Sequence, residues 1–219
     1  MTIKLSIYFV VGLTLLVAYL LGCFNGSVVT SHFIIRDDVR KHGSGNAGLT
    51  NFYRTYGAKF ALIVLLCDMG KTLLSCLIGG YLMLCTNGSW TLGVLLGGIG
   101  CELGHMFPAY YGLKGGKGIL SGGVLVWMLD WRMGLIAWGL FVLLWLLTRY
   151  VSLGSIVATA SMPVSAFFVF GHDPLLTALC AVVAALVIFC HRENIRRLLH
   201  GTENKFKWHV NPIDTGENH

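Results

Sequence analysis

Three polar segments of an otherwise apolar chain carry residue types that suit chemistry on phosphate groups. The first runs from His42 to Arg54 and combines glycines, amides, hydroxyls and an arginine. Glycines let backbone N–H groups converge on an anion, and an arginine grips phosphate oxygens with two N–H groups at once. An ordinary flexible loop with one topogenic arginine is the alternative interpretation of this segment.

The second polar segment, Lys114-Gly115-Gly116-Lys117-Gly118, leads directly into an apolar stretch. Glycine N–H groups, a helix N-terminus and a lysine ammonium together favour phosphate binding. The spacing does not match a nucleotide P-loop, and a membrane-edge turn with topogenic lysines is the alternative. His105 precedes this segment, with Glu102 one helical turn earlier on the same predicted face.

The third polar segment, His191 to Arg197, follows the last apolar stretch. On a helix, His191 and Asn194 share a face, with Arg192 and Glu193 beside it. This pattern indicates either a site histidine with an amide neighbour or a basic flank that anchors to lipid headgroups.

Two ionisable residues, Asp68 and Lys71, are spaced i, i+3 inside an apolar stretch. Ionisable groups within a membrane need partners, and we favour a structural ion pair over a catalytic pair here. The histidines and carboxylates of the chain lack the spacing of a ligand set, so no metal site is predicted.

The polar segments interrupt a chain that has the composition of a membrane protein. Of its 219 residues, 55% are hydrophobic and 12% are charged, and the mean hydropathy is +0.71. Soluble domains carry about 25% charged residues. This composition excludes a disordered chain, and topology signals account for the net charge of +6 without nucleic-acid binding.

The apolar runs predict an all-α, polytopic membrane bundle of about seven transmembrane helices. The predicted spans are residues 5–24, 60–85, 91–111, 118–130, 134–147, 151–171 and 174–190. The first run, carried on to residue 35, is too long for one span, so we expect a break near Asn25-Gly26-Ser27 or a cytoplasmic projection. We expect one transmembrane domain over residues 1–200 and a short polar tail over residues 201–219.

Charge asymmetry gives the predicted topology. With seven spans, thirteen of the sixteen Lys and Arg residues fall on one face and two on the other. The positive-inside rule then places the C-terminus in the cytoplasm and the N-terminus outside. Lys4 and the apolar run that ends at Cys23 are also similar to a lipoprotein signal, but the basic residues of 36–59 favour retention of this run as a first membrane helix.

Together and in this order, the polar segments resemble the three motifs of the acyl-phosphate-dependent glycerol-3-phosphate acyltransferases, the PlsY family of bacteria. The matching runs are residues 43–57, 104–118 and 191–203, and the Asp68–Lys71 pair is similar to an acidic–lysine pair in the family's second helix. The resemblance covers nearly the whole chain. Leu49 stands where the family usually has alanine.

The resemblance implies that the sn-1 hydroxyl of glycerol 3-phosphate attacks the carbonyl carbon of a long-chain acyl phosphate, giving lysophosphatidic acid and inorganic phosphate. On matching positions, Lys117 and its neighbouring glycines would bind the glycerol-3-phosphate phosphate. Ser44 and Arg54 would be essential, and His191 and Asn194 would orient substrates or stabilise the oxyanion. Either His191 or a substrate phosphate oxygen would take the proton.

The predicted site residues fall into three groups. The predicted catalytic residues are Ser44, Arg54, His191 and Asn194. The predicted substrate-binding residues are Gly45, Asn46, Thr50, Asn51, His105, Gly115, Gly116, Lys117, Gly118 and Arg192. The predicted structural residues are Asp68, Lys71 and Glu193.

The same resemblance implies the first step of phospholipid synthesis, at the bacterial inner membrane, with the site facing the cytoplasm. The predicted partners are glycerol 3-phosphate, long-chain acyl phosphate and membrane lipid, with no cofactor, nucleic acid or obligate protein partner. A transporter of an anionic phosphorylated metabolite is the alternative, although the candidate ligands cluster at one face and no internal repeat is visible. A non-catalytic scaffold whose basic loops bind anionic lipid is a weaker alternative.

Overall fold

The computed structural model describes residues 6–207, and the regular elements within that part of the chain are all helical. The long helices are α1 (Ile7–Cys23), α4 (Ala61–Asn87), α5 (Trp90–Met106), α7 (Trp131–Thr148), α8 (Val151–Val169) and α9 (Pro174–Cys190). The shorter elements are α2 (Gly26–Thr30), a π-helical turn (Ser31–Ile35), α3 (Leu49–Tyr56), α6 (Ile119–Leu129), α10 (Arg192–Leu199) and 3-10 turns at Val39–Lys41 and Ala109–Tyr111. The all-α prediction is confirmed, and each predicted apolar run contains a helix.

The membrane spans are of unequal length. Those long and apolar enough to cross a membrane are Ile7–Ile35, Ala61–Thr86, Trp90–Tyr111, Trp131–Thr148 and Val151–Val169. Helices α9 and α10 would add a sixth if they count as one span, although they meet at a 60° bend. Helix α6 has 11 residues, and at about 1.5 Å per residue it is roughly half as long as the hydrocarbon core is thick.

Several sequence-based statements therefore stay predictions: the count of seven spans, the orientation, and the division into a domain of residues 1–200 and a tail of residues 201–219. Residues 1–5 and 208–219, on which these predictions partly fall, lie outside the described part of the chain.

The predicted break in the first apolar run lies at Phe24 and Asn25, between α1 and α2. The Asn25 side chain accepts a backbone N–H from the first turn of α2 at 3.0 Å, and its amide donates to the Ala47 carbonyl at 3.0 Å. The Lys71 ammonium on α4 donates to the carbonyls of Gly22 and Phe24, at 3.2 and 2.9 Å. The break thus connects α1 both to the first polar segment and to α4.

Helix α5 is the central helix and contacts α1, α4, α6 and α9. Glycines let its neighbours approach closely: a Cβ added at Gly97 would lie 2.2 Å from the Ser75 carbonyl oxygen on α4, and one at Gly104 would lie 2.1 Å from the Tyr19 carbonyl oxygen on α1. Small residues permit this kind of backbone contact between membrane helices. The packing fixes the C-terminal end of α5, from which His105 reaches the second polar segment.

Candidate active site

A cavity of about 400 Å³ lies where the three polar segments meet helices α6 to α9. Its polar lining comes from loops, helix ends and the stretch after α10, and includes Ser44, Asn46, Thr50, Asn51, Arg54, Lys117, Ser152, His191, Asn194, Arg197, Glu203 and Asn204. Its apolar lining comes from the four helices and includes Ile119, Leu120, Val126, Trp138, Phe141, Met162, Val183 and Val187. The cavity therefore joins a polar, cationic surface to an apolar one.

The first polar segment is held in shape by Asn51, at the start of α3. Its side-chain oxygen accepts the Ser44 backbone N–H at 2.9 Å, and its amide donates to the carbonyls of Val39 (3.2 Å) and His42 (3.1 Å). Both ends of the Asn51 amide are thus engaged, which places Ser44 at the cavity. Gly45, with φ of +67°, lies in this turn but does not line the cavity.

The second polar segment packs directly onto the end of α5. The N–H groups of Gly115 and Gly116 donate to the carbonyls of Met106 (3.2 Å) and His105 (3.0 Å). A Cβ on Gly116 would lie 2.0 Å from the His105 ring nitrogen Nε2. These two glycines serve close packing of the backbone, and their N–H groups are occupied by protein carbonyls. Only Lys117 and Gly118 of this segment line the cavity.

The second and third polar segments meet through Lys117, whose ammonium donates a hydrogen bond to the side-chain oxygen of Asn194. His191 is buried at the bend between α9 and α10, and its Nδ1 lies 2.8 Å from the Val187 carbonyl oxygen. A carbonyl only accepts, so Nδ1 carries the proton and Nε2 of a neutral imidazole is left as an acceptor. His191 and Asn194, the two predicted catalytic residues of the third segment, both border the cavity.

Glu203, after α10, organises this side of the cavity. Its carboxylate accepts hydrogen bonds from Ser152 (2.9 Å), from the Asn194 amide (2.8 Å) and from Arg197 (2.7 Å). Burial by itself would raise the pKa of Glu203, but the three hydrogen bonds and the charge of Arg197 outweigh it, so the pKa lies below the usual value. The carboxylate is therefore ionised at neutral pH and orients the Asn194 side chain.

The cations at the cavity are partly desolvated. Burial, with a contribution from the charge of Arg197, lowers the pKa of Lys117 to about 8. Burial also lowers the pKa of Arg54, and the charges of Glu203 and Arg197 act on it in opposite directions. The Arg54 guanidinium donates to the Asn204 carbonyl at 3.1 Å. Three cations and two carboxylates, Glu203 and Asp68, thus border the cavity, and this excess of positive charge favours an anionic ligand.

Asp68 and Lys71 form a buried ion pair at 2.8 Å. Asp68 also accepts the Gly26 N–H at 3.1 Å, and the Lys71 ammonium donates to His105 Nδ1 at 2.8 Å. Asp68 and His105 border the cavity, whereas Lys71 does not. The pair connects α4, the break after α1 and the end of α5, which supports the structural role predicted for it.

The structure brings most of the predicted site residues to one cavity. All four predicted catalytic residues line it, as do six of the predicted binding residues: Asn46, Thr50, Asn51, His105, Lys117 and Gly118. Arg192 does not, because its guanidinium packs over the Phe189 ring at 4.7 Å and donates to the Phe189 carbonyl at 3.3 Å. Glu193 is exposed in the first turn of α10 and also lies outside the lining.

Several lining residues are absent from the predicted site. Arg197 and Glu203 lie within the third motif, and the run of residues that carries the resemblance already contains them. Ser152 has a weaker signal, as a serine one turn before Ser155 in an apolar helix. Trp138, whose indole N–H donates to the Gly123 carbonyl at 3.1 Å, has no signal that separates it from other apolar residues of α7.

The fold and the cavity define a class: an integral membrane protein of apolar helices, with a cationic polar site open to an apolar groove. Comparison with known proteins gives the particular family. The profile of the glycerol-3-phosphate acyltransferase family matches residues 12–201. The chain therefore belongs to the glycerol-3-phosphate acyltransferases, integral membrane enzymes of lipid biosynthesis.

Individual relatives agree with this assignment. A glycerol-3-phosphate acyltransferase of Thermoanaerobacter pseudethanolicus is 39% identical over 193 residues, which cover 88% of this chain and 94% of the relative. Glycerol-3-phosphate acyltransferase 2 of Bacillus anthracis is 34% identical, with 88% and 97% covered. The crystal structure of the integral membrane acyltransferase PlsY (YgiH) in its glycerol 3-phosphate form matches with a TM-score of 0.78 and 35% identity, over 90% of this chain and 96% of that one. Its lysophosphatidic acid form matches with a TM-score of 0.76.

Proposed function

We propose that this chain transfers a fatty acyl group from a long-chain acyl phosphate to the sn-1 hydroxyl of glycerol 3-phosphate. The observation that carries this proposal is the cavity in which cationic side chains meet the apolar faces of four helices. Arg54, Lys117 and Arg197 supply counter-charge for phosphate groups, and helices α6 to α9 supply an apolar surface for an acyl chain. The glycerol 3-phosphate and lysophosphatidic acid forms of the solved relative support the acceptor and the product.

In the proposed reaction the hydroxyl oxygen of glycerol 3-phosphate forms a bond to the carbonyl carbon of the donor. The bond between that carbon and the phosphate oxygen breaks, phosphate leaves with the electron pair, and the hydroxyl proton passes to a base. Phosphate is a good leaving group, so orientation of the substrates and electrostatic stabilisation supply most of the required acceleration. Lys117 and Arg54 hold phosphate groups, and Ser44 and Asn194 place hydrogen-bonding groups beside them.

Two groups are candidates for the proton acceptor. One is Nε2 of His191, which the hydrogen bond from Nδ1 to Val187 leaves as an acceptor; the other is a phosphate oxygen of a substrate. His191→Gln separates them because it removes the imidazole but keeps a polar side chain. A loss in kcat of about 10²- to 10⁴-fold assigns the base to His191, and a loss of less than about tenfold assigns it to substrate.

We propose that the polar part of the cavity faces the cytoplasm, in the inner membrane of a bacterium. The support is the charge count, with thirteen of sixteen Lys and Arg residues on one predicted face. A reporter fused after the last residue tests it: a reporter active only in the cytoplasm should be active there, and a reporter active only after export should be silent. The opposite pattern would overturn the orientation.

The decisive experiment is phosphate release by the purified chain in detergent or lipid. We expect release only when acyl phosphate and glycerol 3-phosphate are both present, which also shows that no protein partner is required. Transfer from acyl-CoA but not from acyl phosphate would change the donor class. Uptake of glycerol 3-phosphate into proteoliposomes without acyl transfer would instead establish the transporter alternative.

A further inference from the structure

Glu102, on α5, is a buried carboxyl group that the proposed chemistry does not use. Its side chain is 0% exposed, and neither carboxyl oxygen has a hydrogen-bond partner within residues 6–207. Burial of a polar group without a hydrogen-bond partner is costly in free energy, and more so when the group is charged. An ionisable residue at such a position in a membrane helix points to a function.

The carboxyl group of Glu102 lies against the first turn of α6. A Cβ added at Gly118 would lie 1.9 Å from Oε2, and one added at Gly122 would lie 3.2 Å from Oε1. Gly118 is the residue before α6 and has φ of +81°, which favours glycine. The two glycines, one helical turn apart, leave the space that the carboxyl group fills.

The first turn of α6 offers donors to this carboxyl group. The N–H groups at a helix start have no partner within the helix, and the helix dipole there is positive. The hydroxyl of Ser121, in the same turn, is fully buried and has no hydrogen-bond partner in the described part of the chain. A buried acceptor without a partner thus lies beside a helix end that has donors.

This contact lies directly behind the phosphate-binding lysine. Gly118 follows Lys117 in the chain, so the backbone that Glu102 supports carries the ammonium to the cavity and to Asn194. One helical turn after Glu102, the His105 ring lies behind Gly116 in the same way. Helix α5 therefore supports both sides of Lys117. Gly118 and Gly122 border the cavity, whereas Glu102 does not.

We propose that Glu102 is a positioning residue for glycerol 3-phosphate: its carboxyl group holds the first turn of α6 and thereby sets the direction of the Lys117 side chain. The proposal rests on the proposed role of Lys117 in binding the substrate phosphate. Glu102 touches no substrate, so its replacement should change KM for glycerol 3-phosphate much more than kcat.

The test compares Glu102→Gln and Glu102→Leu in the phosphate-release assay, with glycerol 3-phosphate varied at saturating donor. Glutamine keeps the shape and one polar oxygen facing the start of α6, so its KM should stay within about threefold of wild type. Leucine fills the space without a polar oxygen facing the start of α6, and its KM should rise about tenfold, equivalent to about 1.4 kcal/mol, while kcat stays within about threefold. Leu96→Ala is the control, because Leu96 lies on α5 but packs with Val10 and Met83; it should lower the unfolding temperature without changing KM.

A second comparison does not depend on the leucine variant being stable. Gly122→Ala places a methyl group 3.2 Å from the Glu102 oxygen and should raise KM about threefold or more. Glu102→Asp shortens the side chain by one methylene group and should bring the KM of the Gly122→Ala protein back towards wild type. If the KM changes of Gly122→Ala and Glu102→Asp simply multiply in the double variant, the proposal is overturned. A wild-type KM for Glu102→Leu would overturn it as well.

Lys117→Ala in the same assay separates this inference from the proposed site. If Lys117→Ala leaves KM unchanged, the phosphate site itself is misplaced, whatever the Glu102 variants do. If Lys117→Ala raises KM while the Glu102 variants do not, the site stands and the positioning role of Glu102 is wrong.

Discussion

Lys117 gives the proposed phosphate site a pH dependence that can be measured. Burial, assisted by the charge of Arg197, lowers the pKa of Lys117 to about 8, whereas an ordinary lysine has a pKa of about 10.4. A lysine loses its charge as the pH rises through its pKa, so the free enzyme loses this cation in the mildly alkaline range. A phosphate monoester loses its second proton with a pKa of about 6. Above neutral pH, Lys117 is therefore the partner whose charge changes.

The size of the effect follows from that pKa. The fraction of enzyme with a charged Lys117 falls from about nine-tenths at about pH 7 to about one-tenth at about pH 9. If binding needs the ammonium, KM for glycerol 3-phosphate rises about tenfold over this interval, which corresponds to about 1.4 kcal/mol of binding free energy. Because burial is the main cause of the shift, the rise should persist when the ionic strength is increased.

The assay is the initial rate of phosphate release with glycerol 3-phosphate varied and acyl phosphate saturating. Hydrolysis of the donor without acceptor is subtracted at each pH. Lys117→Arg is the matched control, since a guanidinium stays charged over the whole interval, and its KM should be constant whatever its absolute value. A wild-type KM that does not change between these pH values, or an arginine variant that shows the same rise, would refute the assignment of Lys117.

Three further substitutions test other parts of the site. Ser44→Ala should lower kcat/KM by about a hundredfold or more with little change in unfolding temperature, because Ser44 borders the cavity; Ser161→Ala, outside this cavity, is the control in the same assay. Gly116→Ala should abolish activity and lower the unfolding temperature, because its methyl group would lie 2.0 Å from Nε2 of the His105 ring. Gly12→Ala is the control: it has open space around it, so it should keep activity and stabilise α1 by about 0.5–1 kcal/mol. Lys71→Met should lower the free energy of unfolding by about 3–5 kcal/mol, measured by denaturant in detergent, because it leaves a buried carboxylate without its cation.

The long helices could be predicted from the sequence because hydropathy alone requires them. A run of apolar residues in lipid has to satisfy its backbone internally, so each predicted run became a helix. The short helices α3 and α10 are different, because they are polar and depend on tertiary contacts for their position. The stacking of Phe206 on Tyr53, with ring centroids 5.6 Å apart, joins the stretch after α10 to α3. No local pattern indicates a contact between residues so far apart in sequence.

The candidate site was predictable in its residue types but not in its pairings. Glycines beside lysine indicated phosphate binding, yet the structure uses the N–H groups of Gly115 and Gly116 for contacts with α5 and leaves Lys117 for the cavity. The contact between Lys117 and Asn194 joins positions 77 residues apart. Spacing along the chain predicts neighbours on one helix, and it contains no information about which helix ends meet.

The hydrogen bonds of Glu203 decide which cations remain for substrate. Glu203 neutralises Arg197, while Arg54 and Lys117 have no carboxylate partner within residues 6–207. The same carboxylate accepts the Asn194 amide, which turns the Asn194 oxygen towards Lys117 and so fixes the ammonium at the cavity. Two cations without carboxylate partners in one cavity match the two phosphate groups that the proposed reaction brings together. By itself, a carboxylate next to anionic substrates would repel them. Glu203 instead orders the hydrogen-bond donors of Asn194 and Arg197, and Arg54 and Lys117 still give the cavity the positive charge that the substrates require.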